Sequence, residues 1–336
     1  MSGSTMSASD VAGRILLRRL IIACAAAFAL LGMATQASIA QQGANGNRNT
    51  LIPRNVAEGV FFMENQTGSG NAGFIITDEG VLVYDADVRN ADQTLAFIRK
   101  QTDKKVRYVV ISHAAGDHAT GVWHYREDKP TFIATRRQMR DLYMQEKQQF
   151  EERKALGRPE ENPYARAEFV TPDLGFDGAL TLQFGNITFQ LTDEGHGHST
   201  SDVTMFVPQK RIFFMGDLLN TEIHPGQSES AGIIFANVNG WIASLDRIMN
   251  RNLPVDTYIP GHGPLHPGRG VADLEEQKRY FVTMRDRVSR RMAQGDNLET
   301  IRKTFDPPKE FSDYKRTERL NNFLNLFFHQ NIERGY

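Results

Sequence analysis

Of the 336 residues only one is cysteine, Cys24, and it lies in an apolar stretch near the N-terminus. Everything beyond it lacks a thiol, which excludes a disulfide framework, a thiolate metal ligand and a cysteine nucleophile there. A lipoprotein reading of Ile21-Ile22-Ala23-Cys24 fits poorly, because the apolar stretch runs on past the cysteine. Charge of neither sign dominates: 39 basic and 40 acidic residues give a formal net charge of −1. Nothing in that balance points to a nucleic-acid partner. No short-period repeat is visible. The longest apolar run, Leu20 to Ala34, is short of the roughly 20 residues that span a bilayer.

That run is preceded by Arg14, Arg18 and Arg19 and followed by Ser38-Ile39-Ala40. Basic residues, an apolar stretch and a small-residue site in that order make residues 1–40 a secretory signal peptide, cut after Ala40 or after Ala37. The surroundings of Arg18-Arg19 fit a twin-arginine signal poorly. The expected location is periplasmic or secreted, with no stable membrane anchor after cleavage. Removing 1–40 takes away three arginines and one aspartate and leaves a formal charge of −3. Residues 41–55 read as a linker, polar and glycine-rich over 41–50. An exported chain without disulfides must rely on its core, and this one is long enough to build it.

From Val56 the pattern turns to strands. Gly59–Met63, Ala72–Thr77 and Val81–Tyr84 read as strands, the last two as a hairpin about Asp78-Glu79-Gly80. A helix is expected over 91–101 and a buried strand over 106–111. A short helix over 118–127 and a strand at 131–134 come next. Residues 136–156 read as a long charged helix, either a lid over a cleft or a solvated surface helix. A second β block pairs 180–184 with 187–191 and 203–207 with 211–215. Helix 238–251, a short strand 257–259 and a mostly helical remainder complete the chain. Two β-rich blocks, each followed by helices, are satisfied by two sheets packed face to face with helices outside.

Six residues suited to metal fall at or beyond the ends of these strands: His113, Asp117, His118, His198, Asp217 and His262. Strand ends can bring such groups to one edge of a sandwich, and histidine with carboxylate is a zinc donor set. A metal lowers the pKa of its water from about 16 to about 7 and polarises a carbonyl. An aspartate between two histidine clusters can bridge two ions.

In order and spacing, His113-x-x-x-Asp117-His118, His198, Gly216-Asp217 and Gly261-His262-Gly263 resemble the motif series of the metallo-β-lactamase superfamily. The resemblance covers roughly residues 56–266. It implies an α/β fold, a four-layer αββα sandwich of two mixed sheets over 56–270, with a C-terminal helical extension, 271–336, packed on it. It also implies that His113 and His198 hold a first metal, that Asp117, His118 and His262 hold a second, and that Asp217 bridges them. Asp117 would orient the water. The departure is Ala115, where the family usually has a histidine. One tightly bound zinc is therefore expected, held by Asp117, His118 and His262, with the ion at His113 and His198 weak or absent; iron is also compatible with the ligands. His196, His124 or His224 are candidates to fill the gap.

Asp85 is expected either to hydrogen-bond a ligand histidine or to cap a helix. Asn220 and His224 are candidates for binding substrate; His266 and His329 read as surface residues. No serine triad surrounds Ser112 or Ser199. The expected activity is a zinc-dependent hydrolase acting on a small carbonyl substrate: an ester, lactone, thioester or β-lactam. The alternatives are an iron-dependent sulfur or oxygen redox enzyme and a degenerate binding protein of the same fold.

Overall fold

A computed structural model describes residues 50–226 and 236–332, together with the backbone of 229–230 and 233–234. The stretch 1–40, expected from the sequence to be a signal peptide, lies outside the described residues. The described residues of 50–154 and 163–332 form one compact unit. Residues 155–162 fall outside that unit; among them Asn162 Nδ2 donates to Leu156 O at 2.8 Å and Arg158 pairs with Glu161.

The large unit is built on two mixed sheets. The first takes its strands in chain order: β1 (Leu51–Ala57), β2 (Val60–Asn65), β3 (Ala72–Ile76), β4 (Val81–Tyr84), β5 (Val106–Val110), β6 (Thr131–Thr135) and β7 (Leu174–Phe176). Its first four strands are antiparallel, and β4 to β7 are parallel. Helix α1 (Ala91–Gln101) makes the β4–β5 crossover, and the four-residue α2 (Gly116–Ala119) follows β5. Between β6 and β7 run α3 (Arg136–Asp141), a π turn (Leu142–Glu146) and α4 (Lys147–Lys154).

The second sheet is ordered β14-β11-β10-β9-β8. Its strands are β8 (Ala179–Phe184), β9 (Ile187–Asp193), β10 (Val203–Val207), β11 (Ile212–Asn220) and β14 (Thr257–His262). A two-residue hairpin, β12 and β13, covers 229–230 and 233–234. Helices α5 (Val238–Asn250), α6 (Ala272–Ala293), α7 (Leu298–Thr304) and α8 (Thr317–Ile332) complete the chain.

Three apolar layers follow from this. Between the sheets, Phe62, Leu82, Val110 and Ile133 meet Phe189, Met205, Ile212 and Phe214. Outside the first sheet, Phe74, Val83 and Val109 are covered by Ile98, Tyr125 and Leu142. Outside the second, Phe213 and Met215 are covered by Trp241 and Leu245 of α5, Tyr280 and Phe281 of α6, and Phe323 and Phe327 of α8. The result is a four-layer αββα sandwich whose C-terminal helices belong to the outermost layer. Among the described residues no helix is long and apolar enough to cross a membrane.

The sequence reading needs three corrections. Residues 51–55 are not linker: they form most of β1, paired antiparallel with β2 from Leu51 opposite Asn65. β1 is an edge strand, so Pro53 and the exposed Arg54 and Asn55 are tolerated where a central strand would refuse them. β11 does not stop at Met215 but runs to Asn220, and β14 reaches His262. The helical segment expected over 136–156 ends at Lys154 and is solvated on one face only. Thr135 and Gln138 form a capping box, Gln138 Nε2 donates to Ser112 O and Ser201 O, and Leu142 and Phe150 are buried.

Candidate metal centre

The ends of parallel strands from both sheets converge. β4 and β5 are parallel, with Tyr84 beside Val110, so Asp85 and the His113–His118 stretch emerge side by side. Asp85 N–H donates to Val110 O at 2.9 Å. β11 and β14 are also parallel, which brings Asp217 close to His262. Their register is broken at Gly216, whose φ of +53° suits glycine. A Cβ at Gly216 would also overlap the Ser112 side chain, so this glycine permits the two sheets to close at the site.

The structure brings five of the six predicted ligands around Asp217. Its carboxylate lies 3.1 Å from His118 Nε2, 3.0 Å from His262 Nε2, 3.4 Å from His198 Nε2 and 4.0 Å from His113 Nε2. Asp117 Oδ2 lies 3.7 Å from His118 Nε2 and 3.5 Å from His262 Nε2. Two triplets have their ligand atoms within 4.8 Å of one another: His113, His118 and Asp217, and Asp117, His118 and His262. The second is the triplet expected from the sequence. His198 joins neither, although its ring meets that of His113 edge-on at 4.6 Å.

Three of the four imidazoles are held from behind by a hydrogen-bond partner. His118 Nδ1 contacts Asp85 Oδ2 at 2.9 Å, and His262 Nδ1 donates to Gly68 O at 3.0 Å. His113 Nδ1 lies 3.0 Å from Ser112 Oγ, itself bonded to Asp85 Oδ2. Of the two roles open to Asp85, it therefore takes the contact with a candidate ligand histidine; such partners fix the tautomer and ring orientation. His198 packs edge-on against Trp241 at 5.2 Å, and Trp241 Nε1 donates to Leu218 O, so Trp241 is both core and wall of the site. The His198 loop is tied down by buried Asp202, which accepts from Gly197 N and from Ser199 N and Oγ.

The cluster is buried and its charges are coupled. Burial, followed by repulsion from His118, pushes His113 down to about 4. Burial likewise holds His198 well below the usual imidazole range. Both present neutral imidazoles, the form that ligates metal. Burial opposes protonation of His118, but Asp217, Asp117 and Asp85 together raise it well above the usual range. Burial would raise the Asp217 carboxyl; His262, His118 and His198 reverse this and hold it well below the usual carboxylate range. His113 Nε2 is buried without a hydrogen-bond partner. An imidazole nitrogen left unmet beside carboxylates and further imidazoles suits a cation, so the donor set fits zinc.

No histidine among the described residues replaces the one missing at Ala115. His196 is exposed. His124 Nε2 donates to Val88 O. His224 is buried under the C-terminal helices, with Nδ1 2.8 Å from Tyr280 Oη and its ring against Tyr314. His224 therefore stands in the core and not among the ligands. Asn220 is buried too, its Nδ2 donating to Asp217 O and its N–H to Gln277 Oε1.

Sequence reasoning missed three residues near the site. Asn71 ties the 65–71 loop to the end of β14 through Pro260 O and Gly263 O. Glu146, in the π turn, is buried with Oε2 unpartnered and stands close to Gly116. Arg319 of α8 reaches Gly68 O. Only the long, apolar-poor helix hinted at Glu146; nothing local marks Arg319.

Comparison with known proteins agrees with this geometry. The model of the metallo-beta-lactamase superfamily matches residues 65–262. A type 2 metallo-beta-lactamase of Bacillus cereus is 23% identical over 189 residues, 56% of this chain and 64% of that protein. The chain thus matches just under two thirds of that relative's length. Among solved structures, a metallo-beta-lactamase from Pontibacter korlensis superposes with a TM-score of 0.54 at 17% identity, covering 69% of this chain and 99% of the other. The inverting sec-alkylsulfatase Pisa1 from Pseudomonas sp. superposes with a TM-score of 0.64 at 16% identity, covering 84% of this chain and 50% of the other. With the family model spanning the ordered series from Asn65 to His262, the chain belongs to the metallo-beta-lactamase superfamily.

Proposed function

We propose that this protein is an exported zinc-dependent hydrolase acting on a small carbonyl substrate: an ester, lactone, thioester or β-lactam. The observation that carries the reading is the convergence of four imidazole Nε2 atoms on Asp217, with His113 Nε2 buried and unmet. Asp117, His118 and His262 would hold one ion, with Asp217 shared. His113 and His198 would hold a second, more weakly, because Ala115 supplies no ligand. A bound zinc would supply Lewis acidity and a nucleophile at neutral pH.

The chain's own contribution is positional. Asp217 is almost wholly buried, whereas the Asp117 side chain is 25% exposed, so Asp117 is the carboxylate that can reach a water from the cleft. Its Oδ2 is the natural acceptor for that water's proton. The Asp85–His118 and Gly68–His262 contacts keep the Nε2 atoms pointed at the site without rearrangement.

Metal analysis of exported protein, with assays on a lactam, lactone, ester, thioester and secondary alkyl sulfate panel, tests the reading. Zinc is expected, with hydrolysis abolished by chelator and restored by zinc. Iron with oxygen consumption and no hydrolysis would overturn it in favour of redox chemistry.

A further inference from the structure

We propose that Arg319 is an anion-recognition point beside the metal centre, positioned to take a carboxylate or sulfate group carried by the substrate; this rests on the hydrolase reading above. Arg319 lies in the first turn of α8, far from the motif series in sequence. Its Nη2 donates to Gly68 O at 3.2 Å, and the same carbonyl accepts from His262 Nδ1 at 3.0 Å. One carbonyl therefore separates the guanidinium from a ligand imidazole. The charges of Asp117 and Asp217 both act on it.

The other arm of the guanidinium is unmet: Nη1 is buried and has no hydrogen-bond partner among the described residues. Among the described residues no carboxylate forms an ion pair with Arg319. The neighbouring cation differs: Arg316 is occupied by Glu318 and by Thr67 O. A buried cationic N–H with no hydrogen-bond partner is costly, and such local violations cluster at functional positions. Gly226 borders Nη1: a Cβ there would come within 3.4 Å of it, so glycine leaves the guanidinium uncrowded on that side. A planar fork with a free N–H suits a carboxylate or sulfate better than a point charge does.

The test uses full-length, zinc-loaded protein, wild type, Arg319→Gln and Arg319→Lys. Hydrolysis is compared for 4-nitrophenyl acetate, which is neutral, and the mono-4-nitrophenyl ester of succinic acid, which is anionic. Succinate and inorganic sulfate are titrated separately by calorimetry, to tell a carboxylate site from a sulfate site. For Arg319→Gln the ratio of kcat/KM for anionic over neutral ester should fall about 10–100-fold, and affinity for the preferred anion should fall by a similar factor. Arg319→Lys should recover only part of either. An unchanged ratio with unchanged anion affinity overturns the proposal. So does equal loss on both esters with a lowered Tm, which would make Arg319 a mere brace for Gly68. If the wild type hydrolyses no member of the full panel, the hydrolase reading fails, and calorimetry alone decides the anion site: wild-type binding lost in Arg319→Gln supports it, and no difference refutes it.

Discussion

Replacing Asp85 by asparagine should weaken zinc binding about 10–100-fold while leaving the sandwich folded. Asp85 has φ +65°, a backbone region that asparagine also tolerates, so the substitution adds no backbone strain. The carboxylate meets three groups: Ser112 N at 2.6 Å through Oδ1, and Ser112 Oγ and His118 Nδ1, both at 2.9 Å, through Oδ2. An amide keeps the first bond but replaces Oδ2 by an NH2 group. Ser112 Oγ can turn and accept. His118 Nδ1 can accept only by giving up its proton, which moves to Nε2, the nitrogen facing Asp217. The lone pair a metal needs is then occupied. A 10–100-fold loss corresponds to about 1.4–2.7 kcal/mol, whereas the folding cost of one exchanged hydrogen bond is about 1 kcal/mol. Competition against a chromogenic chelator gives the affinity, and metal-free melting gives the folding cost. Zinc affinity equal to wild type in a folded Asp85→Asn protein would refute the tautomer argument.

Two further outcomes are expected. Ala115→His, at a half-buried position with extended backbone (φ −133°), should raise zinc content from about one ion per chain toward two; mass spectrometry showing no added metal would count against a first site limited by that missing ligand. His266 is not a free surface residue: its Nδ1 contacts Asp273 at 2.9 Å and its Nε2 Glu222 at 3.1 Å, and these bonds raise its pKa. A raised folded pKa gives stability that is complete below the unfolded value near 6.5 and is lost as pH rises through the folded value. Urea unfolding should therefore show wild type losing its advantage over His266→Gln above neutral pH, and an advantage that grows with pH would reverse that assignment.

The motif series was legible because each element sits where chain direction and sheet geometry coincide. A strand of apolar residues followed by His113, Asp117 and His118 needs only the sheet to aim it. Asp217 and His262 were legible as members of the cluster but not as strand residues, since Gly216 and Gly261 read as loop until β11 and β14 pair. β1 was missed because an edge strand tolerates the proline and exposed polar residues that argue against a central one. His224 followed Asp217 closely in sequence and seemed poised for substrate. Its placement depends on Tyr280 and Tyr314, residues of the C-terminal region whose packing no local pattern announces. Arg319 was invisible for the same reason: only the docking of α8 brings it to Gly68.

The site joins the two sheets, since His113 and His118 follow β5 of one while Asp217 and His262 belong to β11 and β14 of the other. An ion held there would be a cross-link in a region that has no cysteine to form one. Unfolding would have to release it, so resistance to unfolding would rise with free metal, by about 2.7 kcal/mol at a hundredfold excess over Kd. Metal supply would then govern how long the protein survives heat and proteases, quite apart from whether it turns anything over.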